Sequence, residues 1–259
     1  MSIARFVQIS DTHVLTDPSN PPHGVDPNET LRQVVRRIAE RPSVDFVVVT
    51  GDLIGDDRAS SYAVLRALLS PLPGPVYVLA GNHDVRAALR AELGAPGPGR
   101  LAEQPRETRS DPYYYEFAHA GWRFLALDSQ IPGEVSGRID EAQMAWIAER
   151  CAIRPAPPTI VFVHHPPVPC GIGWLDPHRI ENGPTLIAAL REGNVRRVFF
   201  GHVHLPMTLS AGRLVCTSAP STCYGFSDGR AGPVVIGPRP GLQVVELEGT
   251  EVRSHLEWV

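Results

Sequence analysis

The chain has 259 residues, 43% of them apolar, with a net charge of −4 and a pI near 6.2. That length and apolar share suit one large domain with an ample core, and the mild acidity offers no general affinity for nucleic acid or anionic membrane. All 24 basic residues are arginine, so a lysine-based phosphate loop, a Schiff base and a lysine general base are excluded.

Residues 5–9 read as a first strand. Residues 28–41 carry Leu31, Val34, Val35 and Ile38 at helical spacing. Residues 44–50 form a continuous apolar run, as expected of a strand covered on both faces. A second amphipathic helix follows over 59–69, a third strand over 75–80 and a third helix over 85–93. This β-α-β-α-β rhythm predicts a parallel sheet with helical crossovers. The rhythm then changes. Residues 113–118 and 122–127 flank Ala120-Gly121 and read as an antiparallel hairpin. Residues 140–151 read as a helix with Asp140 as N-cap and Met144, Ile147 and Ala148 on one face. A strand over 159–163, a helix over 184–191 and a strand over 195–200 come next. From Met207 onward the pattern reads as antiparallel, with strands over 214–217, 241–247 and 251–258. The expected fold is α/β, a four-layer α/β/β/α sandwich, with residues 1–259 as a single domain.

Two stretches stand apart. Residues 94–112 mix glycine, proline and charge and read as a surface loop. Residues 219–240 form a Gly/Pro-rich insertion, expected to be a cap or an oligomer contact in a homo-oligomer, a dimer or higher. The first strand begins too early to leave room for a cleavable signal, and no apolar run approaches the ~20 residues of a membrane span. A cytoplasmic protein with no membrane partner is expected. Cysteines at 151, 170, 216 and 223 lack Cys-x-x-Cys spacing and read as buried small hydrophobes. Cys216 and Cys223 would pair only in an exported protein.

The chemistry-bearing residues fall just after the apolar runs. The strings are Ser-Asp-Thr-His (10–13), Gly-Asp-Leu (51–53), Gly-Asn-His-Asp (81–84), His-His-Pro-Pro (164–167) and Gly-His-Val-His (201–204). Taken singly, Asp-x-His or Gly-Asp after a strand is ordinary turn chemistry. Their joint occurrence, each behind a strand, points to eight metal-seeking side chains, Asp11, His13, Asp52, Asn82, His83, His164, His202 and His204, gathered at one sheet edge. Asp52 is suited to bridge two ions ~3.5–4 Å apart.

In combination these strings resemble the signature of the calcineurin-like metallophosphoesterase superfamily, over residues 3–217. The resemblance implies two metal ions, drawn from Fe, Mn, Zn or Co. Asp11, His13 and His204 would hold the first, Asn82, His164 and His202 the second, and Asp52 would bridge them. It implies His83 as the catalytic residue, contacting the phosphate and helping the leaving oxygen depart, with Asp84 behind it or capping a helix. The family's His-x-Pro pattern favours His164 as ligand and leaves His165 to support the ligand or wall the pocket.

Gly-Asp-Leu-Ile-Gly-Asp-Asp (51–57) departs from the protein serine/threonine phosphatase string. Arg138-Ile139-Asp140, Trp174-Leu175-Asp176-Pro177 and Glu181-Asn182-Gly183 are instead similar to bacterial class III cyclic nucleotide phosphodiesterases and glycerophosphodiesterases. That branch implies attack of a metal-bound hydroxide on the phosphorus of a small phosphodiester, with no nucleic-acid polymer as partner. It places Asn82, His83, His23 and His165 beside the substrate. A phosphomonoesterase, a nuclease or a non-catalytic scaffold on the same fold are the rival readings. His178 and Trp174 lie in the loop after His-His-Pro-Pro, where either would reach the pocket or pack the loop.

Overall fold

The computed structural model describes residues 3–94, 112–229 and 232–259. The expected surface loop over 94–112 therefore lies outside the described residues, apart from its two ends. Strand β1 (Ala4–Ile9) pairs in parallel with β2 (Phe46–Val49), which pairs in parallel with β3 (Val76–Val78). Helices α1 (Pro27–Ala39) and α2 (Ala59–Leu69) make the crossovers, and α3 (Arg86–Leu93) follows β3. Helix α1 starts where the Asp26 carboxylate accepts from the backbone N–H of Asn28 and Glu29, with Pro27 in the first turn. Its Leu31, Val34, Val35 and Ile38 are all buried, as their spacing predicts.

The second sheet opens with the hairpin β4 (Tyr115–His119) and β5 (Trp122–Ala126). Its turn holds Ala120 and Gly121 at φ 49° and 81°, the left-handed pair that a two-residue hairpin needs. Helix α4 (Glu141–Ala152) begins on Asp140, whose side chain accepts from Gln143 N. Then come β6 (Thr159–Phe162), α5 (Gly183–Glu192), β7 (Val195–Phe200), β8 (Met207–Ala211) and β9 (Leu214–Ser218). The sheet order is β4-β5-β6-β7-β9-β8.

The remaining strands are β10 (Tyr224–Phe226), β11 (Val235–Pro238), β12 (Gly241–Glu248) and β13 (Glu251–Trp258). The first sheet has the order β13-β12-β1-β2-β3. The all-antiparallel expectation after Met207 is thus corrected in one place: β9 pairs antiparallel with β8 but parallel with β7. The C-terminal hairpin crosses back to lie antiparallel on β1. Within the insertion, β10 and β11 form a small ribbon of their own.

The two sheets stack face to face through aromatic rings. Phe6 of β1 stacks on Phe46 at 5.0 Å and meets Phe162 and Phe199 of the second sheet edge-on, each at 5.5 Å. On the outer face of the second sheet, Leu125, Val161 and Val198 pack with Ile147 of α4 and Leu186 and Leu190 of α5. The fold is mixed α/β, two central sheets flanked by helices. All four cysteines are buried and free, Cys216 and Cys223 included.

Candidate metal centre

Parallel strands deliver their C-terminal ends to one crevice. Asp11 lies two residues beyond β1, Asp52 three beyond β2, Asn82 four beyond β3, His164 two beyond β6 and His202 two beyond β7. The chain bends sharply there. Asp11, His13, Asp52, His202 and His204 all take left-handed backbone conformations, with φ of 54°, 44°, 49°, 68° and 53°. Such conformations are uncommon for residues with a Cβ and persist where surrounding bonds hold them. Here Asp11 N donates to Gly51 O (3.1 Å), His13 N to Asp52 O (3.0 Å) and His202 N to the Asp11 carboxylate (3.0 Å). Gly81 leaves room for the cluster: a Cβ there would run into Asp52 and stand 2.8 Å from His164 Nε2.

The structure brings the seven expected ligand residues together. Donor atoms of Asp11, His13, Asp52 and His204 lie within 4.8 Å of one another, and so do those of His164, His165 and His202. Asn82 Oδ1 is 3.2 Å from His164 Nε2 and 2.9 Å from His202 Nδ1. Asp52 stands between the two groups: Oδ2 faces His13 Nε2 at 3.9 Å, and Oδ1 faces His164 Nε2 at 3.3 Å.

Far-side hydrogen bonds set the imidazole tautomers. His164 Nδ1 donates to Thr50 O (2.8 Å) and His204 Nδ1 to Tyr224 O (2.8 Å). In its neutral form each ring therefore turns an Nε2 lone pair inward. His164 Nε2 meets the oxygens of Asn82 and Asp52, and His204 Nε2 faces His13 Nε2 at 3.0 Å. Carboxylate, carboxamide and imidazole atoms packed this closely in a buried site suit a divalent cation in place of the protons that otherwise bridge them, so the donor set fits divalent metal. The electrostatics agree. Burial, with the neighbouring imidazoles, holds His13 and His202 well below their ordinary pKa, in the neutral form that ligates. Burial alone would raise Asp52, yet His164, His13 and His83 hold it well below the usual carboxylate range. Burial raises Asp11. It also opposes charge on His164, but Asp52 and Asp11 outweigh it and push that imidazole up to about 9. Burial and Asp52 push Asp84 up to about 7. Its carboxylate accepts from Gly81 N, Leu53 N and Tyr62 Oη, which ties the Asn82 turn to the Asp52 turn.

Among the expected substrate contacts, His83 is exposed, its ring edge-on to His13 at 5.0 Å and its backbone N–H on Asp52 Oδ1 at 3.0 Å. His23 is exposed on a short turn, its ring 4.7 Å from Tyr224. His165 is a correction. It is fully buried, and its ring nitrogens are taken up by Ser129 Oγ (2.8 Å) and Val135 O (3.1 Å), so it cannot reach a substrate. Trp174 packs its loop onto the insertion, through Gly229 O (3.2 Å) and the Phe226 ring (5.3 Å). His178 stands perpendicular to His202 at 6.3 Å.

Two sets of residues escaped the sequence reading. Tyr224, inside the insertion, holds His204 through its carbonyl and stacks on His13 at 5.8 Å, so the insertion walls the centre. Asp128, Ser129 and Gln130 follow β5 as the ligand strings follow their strands, and reach Arg86, His165 and the Asn82 turn. The apolar run ending in Leu127-Asp128 was the signal available.

A carboxylate–imidazole–carboxamide cluster at the strand ends of two stacked, helix-flanked sheets defines a metallophosphoesterase-type protein. In keeping with this, the structure of purple acid phosphatase PPD1 from yellow lupin shares the fold, with a TM-score of 0.67 over 99% of this chain and 52% of that one, at 16% identity. The calcineurin-like phosphoesterase family matches residues 4–206, and the chain belongs to that family. The 3',5'-cyclic adenosine monophosphate phosphodiesterase CpdA of Pseudomonas aeruginosa is 32% identical over 247 residues, covering 93% of this chain and 85% of that protein. The glycerophosphodiester phosphodiesterase GpdQ of Enterobacter lignolyticus is 34% identical over 208 residues, covering 78% of this chain and 72% of that protein.

Proposed function

We propose that the protein is a phosphodiesterase of small phosphodiesters that works with two divalent cations. The observation that carries this reading is Asp52, whose two oxygens face different groups of donors. Asp11, His13 and His204 would complete one site, and Asn82, His164 and His202 the other. Fe, Mn, Zn and Co all suit such an N/O donor set. When bound, the cations supply Lewis-acid charge and a nucleophile from water at neutral pH.

The chain's own residues supply position and proton traffic. Asp52 Oδ1 fixes the His83 backbone at the mouth of the centre, where the imidazole can donate to a phosphoryl oxygen and then to the departing alkoxide. Tyr224 and His23 form the wall beside it, against which the ester arm would lie. Relatives named for cyclic AMP and for glycerophosphodiesters both act on small diesters, which supports that substrate size. The test is a panel of bis(p-nitrophenyl) phosphate, 3',5'-cyclic AMP, a glycerophosphodiester, a monoester and short DNA. Diester cleavage that a chelator abolishes and Mn(II) restores is expected. Preference for the monoester, or full activity in Asp52→Ala, would refute it.

A further inference from the structure

Asn82 belongs to the first sheet, by way of β3, whereas His164 and His202 belong to the second, by way of β6 and β7. The Asn82 oxygen meets both imidazoles only if the two sheets are held in register at this point. Gln130 spans that gap. Its side-chain Nε2 donates to Gly81 O (2.8 Å) and to Asp84 O, the two carbonyls that flank the Asn82-His83 pair. A carboxamide NH₂ has two N–H groups, and both are used.

Gln130 is itself firmly placed. It is only 8% exposed, its backbone N–H donates to Asp128 Oδ1 (2.9 Å) and its carbonyl accepts from Arg86 (2.8 Å). The Asp128 carboxylate receives Arg86 Nε and a second guanidinium nitrogen at 2.7 and 2.8 Å, as well as Tyr113 N. The Gln143 side chain bonds both the backbone N–H (2.9 Å) and the carbonyl (2.7 Å) of Asp128. The Gln130 side chain bonds the Asn82 turn directly and reaches the Asp52 turn only through Asp84. Asp11 is bonded directly by His202 N, and His204 is held by Tyr224 O.

We infer that Gln130 is the positioning residue for the Asn82–His164–His202 half of the centre, setting Asn82 Oδ1 against the two imidazoles from across the sheet interface. The inference rests on the two-cation reading above. Calorimetric titration of the metal-free full chain with Mn(II) separates the two ideas. Wild type taking up two ions supports that reading; uptake of one alone overturns it, and this inference with it. Given two ions, Gln130→Met, equal in size but without donors, should leave one ion's affinity unchanged and weaken the other's by about 10- to 100-fold. Equal weakening of both ions, or of neither, overturns the role of Gln130. If Gln130→Met does not fold, Gln130→Asn is the second variant: it keeps the amide, withdraws it by one methylene, and should show the same one-sided loss.

Discussion

His83 stands at the mouth of a cluster whose other imidazoles are buried or bonded on their far side, and the structure gives its ring no hydrogen-bond partner within the cluster. Such a group is free to move a proton. His83→Ala should lower kcat on an aryl diester by about 10²- to 10⁴-fold while the Mn(II) content of the purified protein stays at the wild-type level. His164 makes a different prediction. In chelated protein its folded pKa of about 9 lies above the unfolded value of 6.5. Its protonation therefore contributes stability that is complete below pH 6.5 and lost as pH rises through 9. Loading the site must displace that proton. Titration with Mn(II) at pH 7.5 in buffers of different ionisation enthalpy should show release of about one proton, fading above pH 9. Sequence marked the candidate ligands because each follows a strand end, with Asp52, Asn82 and His202 directly after a glycine. It separated His164 from His165 by the His-x-Pro pattern but also set His165 beside the substrate, because the bonds of its ring to Ser129 and Val135 leave no mark in the sequence. It missed Gln130 because an amide bonded to two carbonyls leaves no motif.

Though β8, β10 and β11 were not, most strands and helices were legible to within a few residues, and for a physical reason. Apolar runs mark strands covered on both faces, and caps such as Asp26 and Asp140 mark helix starts. Asp140→Ala should cost about 1 kcal/mol in urea unfolding, because the Asp140 carboxylate accepts from Gln143 N in the first turn of α4. Strand partners were less legible. Nothing local in residues 241–247 says that β12 returns to β1, since that pairing is set by the complementary faces of distant segments. The parallel pairing of β9 with β7 is hidden likewise, because the tight turn from β8 signals only an antiparallel neighbour.

At the scale of the whole molecule, residues 219–240 join two roles that sequence kept apart. Tyr224 faces the centre, while Val234 and Ile236 are exposed, and Ile236 lines one cavity with the exposed Trp258 of the edge strand β13. The homo-oligomer expected from the sequence has this apolar surface to use. Light scattering should give a multiple of the 28.2 kDa chain, and Ile236→Glu should lower it. No helix among the described residues is long and apolar enough to cross a membrane.

The left-handed backbone at Asp11, His13, Asp52, His202 and His204 has a consequence for how this sequence can change. Each such residue carries a conformational cost of order 1–3 kcal/mol that a glycine would relieve. Heat resistance and turnover therefore pull the same five positions in opposite directions. A lineage selected for robustness alone would gain by surrendering these side chains one at a time. Under the proposed function, their joint presence in this chain is a conformational cost carried for the reaction, at odds with what the bare backbone would prefer.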